Sequence, residues 1–242
     1  MAERTTATRH PVEQRGFVSR SLENLIKVAA LLVLSLVFSI AAEWTGMAVV
    51  WPDQGPRHSE AMLNAELEHL GQFKKSLLTG APARFARRTA NGFHELMYRK
   101  TGIETGLLWL AQRPANPGWL RRKLITAYRS IADYILAAMT ITQVFAMRLC
   151  VLLLSAPAYF LLGLVAFTDG LAERDLRRWG GGRESSFVYH WAMRGVAPAV
   201  VAPWVIYLAV PFSVHPNWVV LPFAVLFSLL VAVVTSTFKK YL

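Results

Sequence analysis

His58, Glu66 and His69 are the side chains of this sequence that most invite chemistry, because imidazole and carboxylate together can hold a divalent metal. Glu66 and His69 share a helical face at i, i+3, whereas His58 lies about three turns upstream and no His-Glu-x-x-His run is present. A metal site needs three or four converging ligands, so ordinary polar positions on an amphipathic helix are the expectation. Cys150 is the only cysteine, which excludes an intrachain disulfide and any multi-cysteine site.

A second cluster is Gly180-Gly181-Gly182-Arg183-Glu184-Ser185-Ser186. It has the glycines of a phosphate loop, but neither the Gly-Lys-Ser/Thr ending nor a preceding strand. The expected role is a break between helices, with a new helix starting near Glu184 so that its carboxylate meets the N-terminal dipole. Ser185 or Ser186 as nucleophile with His190 as base has helical spacing, yet no Gly-x-Ser-x-Gly elbow supports it. The basic groups Arg84, Arg87, Arg88 and Arg121, Arg122, Lys123 could meet lipid phosphate or DNA. Without interleaved exposed aromatics or a known nucleic-acid module, a solvated or headgroup-facing helix surface is the expected reading, and no direct nucleic-acid contact is predicted. No catalytic, metal or cofactor residue is assigned.

The elements that must carry these residues follow from composition. The 242 residues are 54% hydrophobic and only 17% charged, with a net charge of +11 and a mean hydropathy of +0.35. That balance excludes disorder and argues against an ordinary globular enzyme; apolar residues in long blocks point to a membrane. Residues 25–45 form a first span, with Lys27 snorkelling, Glu43 and Trp44 at the outer edge and Trp51 as an interfacial anchor. A cleaved signal peptide is the competing reading, but no clear small-residue cleavage site follows. Residues 149–167 are uncharged and form a second span, in which Pro157 is tolerated. Residues 195–214 and 217–238 form the third and fourth, joined by a tight turn at His215-Pro216. Residues 134–147 are apolar but too few to cross alone; they either extend the second span as one long helix over 134–168 or form half of a re-entrant hairpin, and the long helix is favoured. The spans carry no ionisable residue apart from Lys27, Glu43 and Arg148 at their boundaries, which counts against a charge-lined channel or proton-coupled pump. Pro198, Pro203, Pro211 and Pro222 are expected to bend packing helices.

Basic residues in short segments set orientation. The N-terminal arm, residues 1–24, the loop 169–194 and the tail 239–242 are all Lys/Arg-rich, and the His215-Pro216 turn has neither. Four spans place the three basic segments on one side, so both termini are expected in the cytoplasm. Residues 46–133 then form a periplasmic helical segment. From Glu43 to Arg148 there are fourteen basic and eight acidic residues, against the simple rule, but loops beyond about 60 residues cross largely regardless of charge. Within that segment Leu63, Leu67, Leu70, Phe73 and Leu77 make one helical stripe, with Ser59 as N-cap and Gly80 as stop. A second helix is expected from Pro82 to Lys100, a loop over 111–118, and a third helix from Trp119 into the second span. The fold class is therefore all-α, a multi-pass membrane protein with four transmembrane helices and a helical periplasmic segment.

The loop sequence Asp169-Gly170, then Arg174-Asp175-Leu176-Arg177-Arg178-Trp179, then Gly181-Gly182-Arg183-Glu184-Ser185-Ser186-Phe187-Val188-Tyr189-His190 resembles a motif of the integrating conjugative element membrane proteins. Trp51-Pro52 with Gly55, Arg57-His58-Ser59 and the ending Phe238-Lys239-Lys240-Tyr241-Leu242 are similar too, and the resemblance runs from about residue 20 onward. The chain departs from the pattern at Trp191-Ala192-Met193, where members often carry a His or basic residue. The resemblance implies a bacterial inner-membrane protein encoded among type IV secretion and mating genes, with no settled activity and no catalytic residues to carry over. With no catalytic constellation in the sequence, the protein is expected not to be an enzyme. It implies an accessory of a conjugative DNA-transfer apparatus that meets membrane lipid and other membrane proteins of that apparatus. The docking surface would be the cytoplasmic loop, with Arg177, Arg178, Arg183 and Glu184 making charge contacts and Phe187 and Tyr189 as apolar anchors. A small membrane transporter or pore component is the alternative.

Overall fold

The computed structural model describes residues 17–72, 82–112, 119–180 and 186–238, and the described residues are helical apart from short turns, with no strand among them. Seven α-helices follow in order: α1 (Phe17–Val49), α2 (Arg57–Gln72), α3 (Pro82–His94), α4 (Ile103–Ala111), α5 (Trp119–Trp179), α6 (Ser186–Ala209) and α7 (Pro216–Thr237). A single π-helical turn, Glu95–Arg99, continues α3. Four helices are long and apolar enough to cross a membrane, within Ser21–Val49, Ile131–Trp179, Ser186–Ala209 and Pro216–Thr237. The chain divides into residues 1–34 and 35–242. In the first part the described residues are the start of α1, largely exposed and apolar, on which Lys27 pairs with Glu23 one turn earlier at 2.7 Å.

The second part is built on α5, 61 residues long and so about 90 Å at 1.5 Å per residue. Between Trp119 and Ala156 the sequence has neither glycine nor proline, so nothing stops the helix, and residues 134–147 are its uninterrupted continuation. Its most buried stretch, Ile141 to Leu152, is covered by small and apolar groups from several helices, including Met62 of α2 and Leu208 of α6. Below that level α5 runs beside α7. Tyr159 donates to the Val220 carbonyl, Phe227 lies over Gly163, and Gly170 meets Thr235 and the Ala232 carbonyl so closely that a Cβ would not fit. Gly195 of α6 is packed less tightly, a Cβ there coming within 3.0 Å of the Leu230 side chain of α7.

The structure differs from the sequence reading at several element ends. α6 stops at Ala209, not 214, because Pro211 cannot donate a helical hydrogen bond and disfavours helical backbone at Val210. The turn to α7 is consequently residues 210–215. α7 opens with Pro216 at its first turn and with the His215 ring accepting from the Asn217 N–H at 3.2 Å. Ser59 is not an N-cap: α2 begins at Arg57, and the buried Ser59 hydroxyl donates to the Pro56 carbonyl at 2.8 Å. Helix continues through both flanks of the 169–194 segment, leaving only 180–185 between α5 and α6. The helix α4 occupies residues for which the sequence suggested no element, and Gly102, at φ 77°, makes the turn before it. Phe73, Leu77 and Gly80 lie outside the described residues.

Candidate functional site

Arg148 stands near the middle of α5 with its side chain 3% exposed, at the level of the α6–α7 turn. All five of its N–H groups are matched. Nε donates to Glu66 Oε1 of α2 at 2.9 Å. One terminal nitrogen donates to the carbonyls of Tyr207 and Val210 at 3.1 and 2.6 Å. The other donates to the Phe212 carbonyl at 2.7 Å and approaches Met62 Sδ at 3.7 Å. Carbonyls at a helix C-terminus have no intrahelical partner and carry the negative end of the dipole, so a guanidinium there serves both needs. Ser39 of α1 completes the cap by donating to the Leu208 carbonyl at 2.8 Å.

Glu66 is equally saturated. Its Oε2 accepts from the Tyr207 hydroxyl at 2.9 Å, and Oε1 also accepts from Ser213 at 3.3 Å. The guanidinium lies 5.3 Å from the Tyr207 ring centroid, a cation–π contact. His69 lies 3.5 Å from the Ser213 hydroxyl and 5.1 Å, ring to ring, from His215. Four separate elements, α2, α5, α6 and the α6–α7 turn, are thereby tied at one buried charge pair. Breaking such a pair by removing one partner typically costs about 3–5 kcal/mol.

A second buried pair adjoins α1. Glu43, fully buried, accepts from His58 Nδ1 at 3.1 Å on both oxygens. Trp51 stacks on the His58 ring at 4.0 Å and covers Gly46. Its indole N–H is buried and has no partner among the described residues, while its ring braces the turn between α1 and α2. Trp44 donates to the Tyr134 carbonyl at 2.8 Å. The helix α1 thus runs past the expected edge at Glu43, and Glu43 and Arg148 both have their side chains buried inside the protein.

These pairs pull the suggested metal ligands apart: His58 goes to Glu43, Glu66 to Arg148. No group of three or more His, Cys, Asp or Glu side chains that could hold a metal occurs among the described residues. Ser186 and His190 are both exposed on the first turns of α6, and His190 stands edge-on to Tyr189. Ser185 lies outside the described residues. Arg84, Arg87 and Arg88 are exposed along α3, and Lys123 lies 5.6 Å from the Trp119 ring centroid; the Arg121 and Arg122 side chains are outside what is described.

At the far end of α5 and α6 the six expected docking residues separate into three groups. Arg177 is partly exposed, paired with Glu173 one turn back on α5 and donating to Ser236 of α7 at 3.3 Å. Tyr189 is half-buried against Phe238. Arg178 and Phe187 are exposed, Phe187 by 79%, as are Leu176, Trp179 and Trp191. Arg183 and Glu184 lie outside the described residues.

An all-α chain with four helices fit to cross a membrane, a saturated ionic knot and an apolar-basic end surface is a multi-pass membrane protein. Residues 50–239 match the family model described as IncC plasmid conjugative DNA transfer protein DtrJ-like. The chain belongs to that family, which ties it to conjugative DNA transfer. This description bears out the link to conjugation that the sequence resemblance implied. Neither a curated protein nor a solved structure matches the chain.

Proposed function

We propose that this protein is a non-enzymatic accessory of a conjugative DNA-transfer apparatus of the type IV secretion kind. It sits in the inner membrane with both termini cytoplasmic and works through contacts with other membrane proteins of that apparatus. The observation that supports docking is the exposure of Leu176, Arg178 and Trp179 on the last turns of α5 and of Phe187 and Trp191 on the first turns of α6. Large aromatics beside an arginine are the residue types that anchor interfaces. Arg177 and Tyr189 tie this end to Ser236 and Phe238, and Arg183 and Glu184 belong to the proposed docking set by sequence.

The transporter reading draws on one observation, the ionisable groups Glu66 and Arg148 among the spans. Against it, every donor of Arg148 is matched, and the cavity beside it is ≈ 10 Å³, room for about one water at most. A photo-crosslinking amino acid at Phe187 tests docking. Capture of another transfer-apparatus protein from mating donors is expected there and not from Phe160, which is 70% exposed on the apolar stretch of α5. Equal capture from both positions would remove the docking surface.

A further inference from the structure

The helix α3 carries a basic groove that neither the ionic knot nor the docking end uses. Arg84, Phe85, Arg87, Arg88, Asn91, Gly92 and Glu95 line a cavity of ≈ 750 Å³. Three guanidinium groups face one carboxylate there, and none of the three forms an ion pair among the described residues. The opposite face of α3, Ala86 and Ala90, is buried against α5.

The depth of the groove follows from two contacts. The Tyr98 hydroxyl bonds to Thr142, 2.8 Å away, while the Thr89 side chain meets the Cys150 thiol. Nine residues forward along α3 and its π-turn correspond to about eight residues backward along α5, so the two run antiparallel. Extending that register sets Arg84, Arg87 and Arg88 beside the first turns of the uncharged stretch 149–167. Trp218, 78% exposed near the start of α7, marks the same depth, since Val220 is bonded to Tyr159. Tryptophan and arginine at one depth define a headgroup level, with the arginine heads turned to phosphate. Phe85, 45% exposed in the same groove, offers apolar contact to the glycerol and upper acyl chain.

We propose that this groove binds the headgroup phosphate of an anionic phospholipid in the leaflet facing the α6–α7 turn. The surplus of positive charge disfavours a zwitterionic headgroup, whose ammonium would meet the arginines. The test is lipid retention by the purified full-length protein in detergent, read by native mass spectrometry. Phosphatidylglycerol should be retained at about tenfold lower concentration than phosphatidylcholine. The variant Arg84→Gln/Arg87→Gln/Arg88→Gln should lose that preference while keeping the parent's unfolding midpoint in phosphatidylcholine. The variant Arg99→Gln/Lys100→Gln, altered on the neighbouring π-turn, should keep the preference. Equal retention of the two lipids, a preference surviving in the triple variant, or its loss in the control variant would each overturn the proposal. Displacement of phosphatidylglycerol by inorganic phosphate would assign the groove to a free anion, and displacement by polyglutamate to an acidic protein segment; both also overturn it.

Discussion

Glu66 and Arg148 are both almost fully buried, so the consequence of losing one is a stranded charge at the other. Glu66→Gln should lower the unfolding midpoint and membrane yield by the equivalent of about 3–5 kcal/mol, measured by thermal unfolding in detergent. Arg148→Lys should fare little better, because an ammonium has three donors where five acceptors are waiting. Glu66→Leu combined with Arg148→Met should recover part of the loss. Recovery stays incomplete, since the Tyr207, Val210 and Phe212 carbonyls would remain without a donor. An additive loss in the double variant would mean that the two side chains act independently. The pair was only half legible in the sequence. A lone charge between apolar stretches reads as the end of a span, which is how Arg148 looks when its partner is 82 residues away. The available signal was Met62-Glu66-Leu70 at i, i+4, i+8, a carboxylate in the buried stripe of α2. The leucine pattern Leu63, Leu67, Leu70 drew attention one residue to the side, and Leu63 and Leu67 are only half-buried.

Among the elements, α5 and α7 depend on a glycine contact more than on side-chain volume. Gly170→Ala would drive a methyl into Thr235 Oγ1 and the Ala232 carbonyl, and overpacking of that kind costs about 1–3 kcal/mol. Adding Thr235→Ala should restore only part of the stability, because the carbonyl belongs to the α7 backbone and cannot be trimmed. Gly106→Ala, which meets open space on α4, should instead stabilise by about 0.5–1 kcal/mol through helix propensity. Unfolding midpoints of the three variants decide the matter; equal effects at Gly170 and Gly106 would contradict the close crossing. The length of α5 was legible because residues 119–156 contain no helix breaker. The end of α6 was not, since hydropathy continues smoothly through residues 210–214 while Pro211 and the Arg148 donors act on the backbone. The short helix α4 was missed for a related reason: residues 103–111 are apolar nearly all round and give no periodic stripe.

At the scale of the molecule, charge and hydropathy carried most of what the sequence could tell, including four spans and an all-helical fold. Reporter fusions test the proposed orientation: fusions after residues 20 and 242 should report cytoplasm, and an insertion at Asp53 in the α1–α2 turn should report periplasm. The reverse pattern would move the Arg178–Phe187 end to the wrong side for cytoplasmic partners. The proposed docking surface was legible only as a motif, because a sequence cannot show that Arg177 bonds Ser236 and Tyr189 packs on Phe238 while Trp179 and Phe187 are left exposed. The central claim is that this exposed end docks the protein into the transfer apparatus. Its most direct test is the frequency of DNA transfer from donors lacking the gene, complemented with wild type or with Arg178→Ala/Phe187→Ala at matched membrane level. The account predicts full restoration by wild type and at least about a tenfold shortfall with the variant, the size expected from losing an interface anchor worth about 1.4 kcal/mol or more. Wild-type transfer frequency with the variant would contradict it.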